Sequence, residues 1–367
     1  MAETSSTASE PLSQESTGVL RFIRNFHNQT ILFRVGHWIV VTYGLVAATA
    51  FLVGYSTGVW YTSMLGMDAY TIAAFFLFFL IPSVLMGARA TSVLLEWREL
   101  FRRPLQTLVK PGYMLHGGVF GGMLALAVYT ILTGTPAPPL YDALGFLMPL
   151  GEAICRLGCF VYGCCWGKPT ESRFGVAYTS PHAKVIRCHP ELHGVKIHPA
   201  QMYALSAHLI QFTIFYLLLP YKAFDGMFAG LYLITHPIIR VILERFRQDD
   251  RGKLVGRMTH TNLYSAIQVL LGSGFLIYGA ASGQNLAIDV STRYLDTLAN
   301  PELTLMFIGV FLVALLSFGV HYRKVGSWVT HGRGGVAANV DEMSMGAAFR
   351  AEGHGDDCPE CDGHDHR

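Results

Sequence analysis

The recurrence of apolar segments long enough to cross a bilayer is the feature that most constrains this chain. A transmembrane helix needs about 20 predominantly apolar residues, because the hydrocarbon core is about 30 Å thick. Eight segments approach or reach that length, which predicts an all-α fold, a polytopic integral membrane protein with seven to eight transmembrane helices. The predicted spans are residues 37–57, 70–90, 114–132, 140–162, 201–219, 227–243, 263–281 and 303–320.

Composition supports the same class and excludes others. Hydrophobic residues make up 51% of the 367 residues and charged residues only 14%, against about 25% in a typical soluble domain. The net charge of +2 argues against a nucleic-acid-binding protein. We expect a disordered Ser/Thr/Glu-rich segment without a cleavable signal peptide over 1–25, a transmembrane domain over 26–325, and a soluble Gly/Asp/His-rich tail over 326–367.

Lysine and arginine gather in alternate loops, at 89–110, 168–196 and 245–257, whereas the loops between them carry almost none. The positive-inside rule places such basic loops, and both termini, in the cytoplasm. Cations that bind phospholipid headgroups would give the same pattern on either face of the membrane. The loop charges alone therefore leave the orientation open.

The stretch GEAICRLGCFVYGCCWGKPT, at 151–170, ends the fourth predicted span. An arginine near bilayer depth is energetically costly, so Arg156 indicates a functional site and a partner for its charge. Gly158 and Gly167 would let backbone or a bulky ligand approach closely. The alternative is a glycine-mediated helix seam from which Arg156 extends to the membrane interface.

The third and sixth predicted spans carry further polar residues. Arg240 and Glu244 are four residues apart and share one helix face with His236. This spacing indicates either a cationic site oriented by Glu244 or a buried ion pair that fixes helix register. His116 opens the third span beside four glycines, which favours a site, although a lone intramembrane histidine is often hydrogen-bonded to a neighbouring helix.

Five of the seven cysteines lie near the end of the fourth span or in the loop after it. They are consistent with small thiols filling a helix seam, a lipid-carrying thiol at Cys159, a disulfide from the loop cysteine to position 164 or 165, or a metal site. The metal site would draw its ligands from Cys155, Cys159, Cys164, Cys188 and either His189 or His193. A single CxxC in the tail, Cys358 to Cys361, indicates either a zinc-type site or a disordered polar segment.

Short motifs follow one another between residues 30 and 280. They are Tyr43-Gly44, Gly87-Ala88-Arg89, His116-Gly117-Gly118, Arg156-Leu157-Gly158-Cys159-Phe160, Gly167-Lys168-Pro169-Thr170, His198-Pro199-Ala200-Gln201-Met202-Tyr203, Arg240-Val241-Ile242-Leu243-Glu244, Phe246-Arg247-Gln248-Asp249 and Asn262-Leu263-Tyr264-Ser265. In this combination and order they resemble the prolipoprotein diacylglyceryl transferase family. No single motif is specific, but so many in the family's order are hard to explain otherwise.

The chain also departs from the family's pattern. Cys159, Tyr162 and Cys164 stand where the pattern usually has two asparagines and a glutamate, and His236 stands where a tyrosine is common. The eighth span and the long tail exceed the usual seven-span arrangement. These differences leave lipid binding better supported than the details of proton transfer.

The resemblance implies transfer of a diacylglyceryl group from phosphatidylglycerol to the lipobox cysteine of prolipoproteins, with glycerol phosphate leaving. This is the first step of bacterial lipoprotein maturation. Arg156 and Arg240 would bind the phosphate, Glu244 would orient Arg240, His116 would accept the thiol proton, and Tyr43 would hydrogen-bond the headgroup. The predicted substrate-binding residues are Arg89, Gly117, Gly118, Gly158, Gly167, Lys168, Gln201, Tyr203, His236 and Arg247.

The expected partners are phosphatidylglycerol, the signal peptide of a prolipoprotein and membrane lipids, with no nucleic acid, no cofactor and no metal. The family's location implies a multi-pass protein of the bacterial inner membrane with its site near the outer face. We adopt that orientation over the one from loop charges, because these cations also have a lipid-binding reason to exist. Two other functions stay open: a non-catalytic or transporter-like lipid-binding protein, and a cysteine-based membrane metal or redox protein.

Overall fold

Apolar helices form the body of the protein in a computed structural model that describes residues 25–95, 97–109, 115–248, 253–255, 258–323 and 325. Within these residues, seven helices are long and apolar enough to cross a membrane, and the apolar helix Gly117–Thr133 is shorter. The predicted all-α polytopic class is therefore confirmed. The predicted tail 326–367, including its CxxC, and all but the last residue of the predicted segment 1–25 lie outside the described residues.

The helices are numbered in chain order. They are α1 (Thr42–Met64), α2 (Ala69–Phe75, a π-helical turn Phe76–Leu80, then Ile81–Leu95), α3 (Trp97–Arg102), α4 (Pro104–Val109), α5 (Leu115–Thr133), α6 (Ala137–Tyr162), α7 (Lys184–Cys188), α8 (Ala200–Leu218), α9 (Met227–Glu244), α10 (His260–Ser282), α11 (Tyr294–Ala299) and α12 (Pro301–Gly319). Short strands are β1 (Ile31–Val35), β2 (Trp38–Val41), β3 (Val176–Ala177), β4 (Lys196–Ile197), β5 (Lys253–Val255), β6 (Met258–Thr259) and β7 (Val320–Tyr322).

The two ends of the helix bundle meet at one face. Strand β2, just before α1, pairs antiparallel with β7, just after α12, with Ile39 opposite His321. The helices α1, α2, α5, α6, α8, α9, α10 and α12 lie between these two strands, and after them the chain is back at the side from which it started. We call this side, which also carries the long connection 163–199, the loop face.

The first helix begins later than the apolar pattern predicts. The predicted span 37–57 becomes a strand up to Val41 and a helix over Thr42–Met64. Trp38–Val41 has neighbours on both sides, β1 and β7, that satisfy its backbone in a sheet. Hydropathy does not distinguish a buried strand from the first turn of a helix, because both are apolar.

Helices α6 and α9 run in the same direction and lie in close contact. A Cβ on Gly145 would come within 2.5 Å of the Phe228 carbonyl oxygen, so only glycine allows this approach. Fully buried Asp142 accepts hydrogen bonds from the backbone amides of Gly226 (2.8 Å) and Ala229 (3.0 Å) at the start of α9. Those amides have no partner within their own helix, so the carboxylate satisfies them and fixes the register of the two helices.

Candidate functional site

The end of α6 folds three cysteines together. Gly163 adopts a left-handed conformation (φ +75°) and ends the helix, and Cys165 is also left-handed (φ +59°). This turn lays Cys164 and Cys165 back over the last helical turn, where the amide of Cys164 donates to the Cys159 carbonyl (3.2 Å). The sulfurs of Cys159, Cys164 and Cys165, which we call the cysteine cluster, lie within 4.8 Å of one another.

Two arginines face the cysteine cluster. Arg156, one turn before Cys159, interacts electrostatically with Cys159, Cys165 and Arg247, and Arg247 is only 8% exposed. Hydrogen bonds from the other two thiols, together with the charges of Arg247 and Arg156, lower the pKa of the Cys165 thiol. The Nε of Arg156 is buried and has no hydrogen-bond partner among the described residues. The site thus holds concentrated positive charge beside polarisable sulfur.

Tyr43 lies at the same place, in the first turn of α1. Its ring touches the position where a Cβ of Gly158 would stand, and it packs 5.4 Å from the ring of Tyr162. Tyr43 also interacts electrostatically with the cysteines at the end of α6. The structure therefore brings three predicted site residues, Tyr43, Arg156 and Arg247, to one place. Protein fills the space beside Gly158.

A small backbone platform on the loop face joins three segments of the chain. Gly167 pairs antiparallel with Arg247, and the amide of Lys168 donates to the Phe246 carbonyl (2.9 Å). The amide of His198 donates in turn to the Lys168 carbonyl (2.9 Å). A Cβ on Gly167 would collide with the His198 and Phe246 carbonyl oxygens, so this position needs glycine. The platform ties the end of α6 to the start of α8 and the end of α9.

The remaining predicted residues of this region make contacts within the protein. The side-chain amide of Gln201 donates to the Cys164 carbonyl (2.7 Å) and so holds the cysteine-bearing turn. The hydroxyl of Tyr203 is 3.2 Å from Nδ1 of His198. The ammonium group of exposed Lys168 donates to the Arg245 carbonyl (3.2 Å). These contacts hold the site in shape. The predicted roles of Gln201, Tyr203 and Lys168 in substrate binding stay predictions.

The second predicted arginine lies on α9 beside its predicted partner. Arg240 Nη2 is 3.7 Å from Glu244 Oε2, which confirms the pairing expected from their spacing. One turn earlier, His236 Nε2 is 3.4 Å from Oε1 of Glu152 on α6. Because α6 and α9 run in the same direction, residues four positions after this contact lie one turn nearer the loop face on both helices. Arg156 and Arg240 therefore occupy the same depth on neighbouring helices.

Other predicted residues lie on a separate helix pair, α2 and α5. Arg89 Nη2 donates to the carbonyls of Thr107 and Leu108 (2.8 Å each), so its guanidinium joins α2 to the short helix α4. A Cβ on Gly117 would collide with the Gly87 carbonyl, and one on Gly118 would lie 3.2 Å from Val84. The glycines thus permit a close helix crossing rather than leaving room for a ligand.

The role of His116 as the base that accepts the thiol proton stays a prediction. His116 opens α5 next to the crossing of α5 with α2, and its side chain lies outside what the structure describes. Its predicted role as the base therefore rests on the resemblance alone.

Of the sequence interpretations of the cysteines, the disulfide is wrong and the metal site is found only in part. Cys164 and Cys165 are not disulfide-bonded, so the predicted disulfide between Cys188 and one of them does not form. The predicted metal ligands are brought together only in part. Cys159 and Cys164 lie within 4.8 Å of each other, whereas His189 pairs with Glu191 (2.8 Å) and His193 approaches the Thr179 carbonyl (3.2 Å). The left-handed turn gathers Cys159, Cys164 and Cys165 instead.

Sequence reasoning missed a polar cluster deeper in the bundle. Glu152, four residues before Arg156, contacts His208 of α8, Tyr232 and His236. The signal was present in the sequence, because an acidic residue and a histidine inside apolar segments are costly without partners. The partners of Glu152 could not be identified from sequence, since they lie on two other helices.

Comparison with known proteins gives a consistent result. The sequence profile of one family, described as prolipoprotein diacylglyceryl transferase, matches residues 30–278. Relatives named phosphatidylglycerol–prolipoprotein diacylglyceryl transferase include a Symbiobacterium thermophilum protein, 25% identical over 70% of this chain and 97% of its own length. The Rhodospirillum centenum protein of that name is 30% identical over 63% of this chain and 85% of its own length.

Proposed function

This chain belongs to the prolipoprotein diacylglyceryl transferase family, and we propose that it transfers a diacylglyceryl group from phosphatidylglycerol to the lipobox cysteine of a prolipoprotein. A bond forms between the cysteine sulfur and the terminal glyceryl carbon, and the bond from that carbon to the phosphate oxygen breaks. The thiol proton goes to a base, for which His116 is our candidate, and glycerol phosphate leaves with the electron pair.

The observation that carries this proposal is the placement of Arg156 and Arg240 at one depth. The contact of Glu152 with His236 (3.4 Å) fixes the register of α6 and α9, and each arginine follows one turn later. Guanidinium groups stay charged and bind phosphate oxygens in pairs. Donors fixed in a water-poor site stabilise developing negative charge by roughly 3–4 kcal/mol each. Two arginines are thus suited to hold the phosphodiester and the departing phosphate.

The proposal is tested by transfer from phosphatidylglycerol to a synthetic lipobox peptide, with the purified full chain in detergent. We expect Arg156→Ala and Arg240→Ala each to lower the rate by about 100-fold or more, as when one charge-stabilising donor is removed. Arg156→Lys should retain more activity than Arg156→Ala, since it keeps the charge but loses the paired donors.

Arg103→Ala is the matched control, because Arg103 is a basic residue whose side chain is 67% exposed and forms a surface pair with Glu99. Its transfer rate should stay within about twofold of the unmodified protein. Unchanged transfer in the Arg156 and Arg240 variants would contradict the proposed phosphate site. No transfer by the unmodified protein, with phosphatidylglycerol still bound, would favour the lipid-binding alternative.

A cysteine-based metal or redox function is the second candidate, and the cysteine cluster favours it. Three sulfurs within 4.8 Å, facing Arg156 and Arg247, suit soft-metal binding or thiol exchange. Substitution of Cys155, Cys159, Cys164 and Cys165 by serine separates the two functions. The transferase proposal predicts partial loss of transfer, whereas complete loss in a folded, lipid-binding variant would support a function of the thiols.

We also propose that the loop face is the outer face of the bacterial inner membrane. The protein is a multi-pass membrane protein. A donor lipid and a translocated prolipoprotein would both reach the arginines from the loop face, which carries the basic connections. The cations on that face then serve lipid headgroups rather than topology.

A further inference from the structure

A polar cluster inside the helix bundle lies one turn further from the loop face than the two arginines, and the transfer reaction gives Glu152 and His208 no role. We call Glu152, His208 and His236, from α6, α8 and α9, the carboxylate–histidine cluster. Glu152 Oε2 is 3.0 Å from His208 Nε2, and Glu152 Oε1 is 3.4 Å from His236 Nε2. The side chains are 10%, 3% and 10% exposed, so water cannot solvate them well.

The hydrogen bonds behind His208 determine which of its nitrogens carries hydrogen. Thr235 donates its hydroxyl hydrogen to the Leu231 carbonyl (2.6 Å), so its oxygen accepts from Nε2 of Gln211 (2.6 Å). That contact fixes the amide of Gln211 with its oxygen toward His208 Nδ1, at 3.1 Å. An amide oxygen only accepts, so Nδ1 of His208 donates, and Nε2 of a neutral ring is left with a lone pair.

His236 repeats the arrangement. Its Nδ1 is 3.3 Å from Oε1 of Gln268, which leaves Nε2 facing the same carboxylate. Tyr232 donates its hydroxyl hydrogen to Glu152 Oε1 (2.7 Å) and so leaves the other oxygen to His208. Two imidazole lone pairs thus converge on a carboxylate. A single proton could be shared in only one of the two imidazole–carboxylate contacts. One metal cation can accept a lone pair from each imidazole and one from the carboxylate together.

We propose that Glu152, His208 and His236 bind a divalent transition-metal ion, of the zinc or iron class. Imidazole nitrogen and carboxylate oxygen are the donors that these ions take in proteins. Metal–ligand bonds of about 2.0–2.1 Å in a tetrahedral arrangement place ligand atoms roughly 3.3 Å apart. His208 Nε2 is 3.0 Å from Oε2 of the carboxylate and His236 Nε2 is 3.4 Å from Oε1, both close to that value. One ligand atom from each of the three residues lies within 4.8 Å of the others.

The surroundings of the cluster fit a metal site. Histidines that bind metals usually donate their other ring nitrogen to an oxygen, which fixes the ring and increases its basicity. Gln211 accepts from His208 in this way, and Gln268 does so from His236. The bound ion would join α6, α8 and α9 one turn from Arg156 and Arg240. Its function would be to hold the two arginines at a fixed separation.

The test measures metal in the purified full chain, so its outcome does not depend on transfer activity. Metal content is determined by mass spectrometry, and cobalt(II) is then titrated as a spectroscopic probe. We expect one ion per chain and cobalt d–d bands without a thiolate charge-transfer band. Glu152→Gln, and the double change His208→Ala with His236→Ala, should remove this ion. Gln268→Leu should weaken cobalt binding roughly 10–100-fold by removing the oxygen behind His236.

Substitution of Cys159, Cys164 and Cys165 by serine is the matched control, because it removes the neighbouring candidate metal site. The ion and the cobalt d–d bands should persist in that variant. Size-exclusion profiles and phosphatidylglycerol binding show whether each variant is folded, and the conservative Glu152→Gln and Gln268→Leu variants keep side-chain size. Failure of the unmodified protein to hold metal or take up cobalt would overturn the proposal, as would metal content unchanged by Glu152→Gln and the double histidine change.

Discussion

Burial of the imidazole of His321 couples the stability of this protein to pH. His321 lies on β7 and is fully buried, and burial, with a smaller contribution from Arg187, lowers its pKa from 6.5 to about 4. Between these values the unfolded chain binds the proton and the folded protein does not. Stability therefore rises with pH across this window and is lost as the pH falls from 6.5 toward 4, by at most about 3 kcal/mol.

The measurement is the melting temperature of the full chain in detergent at several pH values between 4 and 7. His321→Gln, which cannot be protonated, should give a shallower pH dependence over that range. Parallel curves for the two proteins would show that another group accounts for the acid sensitivity.

Individual charged residues of the site could be predicted because they stand out from apolar surroundings. Arg156, Arg240 and the pairing with Glu244 follow from charge and spacing alone, and the structure confirms the 3.7 Å contact of the pair. Glu152 and His208 likewise stand out as titratable residues inside apolar segments. Their partners could not be predicted, since helix periodicity determines which residues share a face of one helix but not which helix packs against it.

Helices α1 and α12 cross where two glycines meet. A Cβ on Gly44 would overlap the Cα of Gly319, so their backbones are in direct contact. Gly44→Ala should force the helices apart and lower stability by about 1–3 kcal/mol. Transfer activity should fall as well, because the neighbouring residue Tyr43 packs beside the cysteine cluster.

Gly309→Ala on α12 is the matched control for this crossing, since a Cβ there meets nothing within 4 Å. Its melting temperature should stay equal or rise, because alanine favours a helix over glycine by about 1 kcal/mol. Equal destabilisation by the two substitutions would mean that the crossing does not depend on the glycine contact.

The surroundings of the glycines at the start of α5 are set at the scale of whole helices. Gly117 and Gly118 pack against α2, although their position beside His116 indicates open space in the sequence. A glycine marks a place where something approaches closely, and the sequence does not say whether that is a ligand or another helix. The packing of α2 against α5 shows that a helix, and not a ligand, lies beside these glycines.

The topology of the whole molecule predicts which loops are accessible from each side. Phe174 lies in the long connection on the loop face and is 62% exposed, and Val290 lies at the opposite end of the bundle and is 61% exposed. If the loop face is external, Phe174→Cys should react with a membrane-impermeant maleimide on intact spheroplasts. Val290→Cys should react only after permeabilisation, and each signal is compared with that of the unmodified chain. The reverse pattern would place the site in the cytoplasm.

The sequence by itself determined that this protein is a membrane-embedded helical bundle of a known enzyme family with charged residues inside its apolar segments. Those features depend on local composition, spacing and order, which the sequence states directly. Tertiary structure alone decided that Arg156 and Arg240 share one depth, that a left-handed turn gathers three cysteines, and that Glu152 meets two histidines. These arrangements depend on the relative register of α6, α8 and α9, which is set by contacts such as Asp142 with the first amides of α9. Register is a property of helix pairs, and the pattern along one helix does not encode its displacement relative to another.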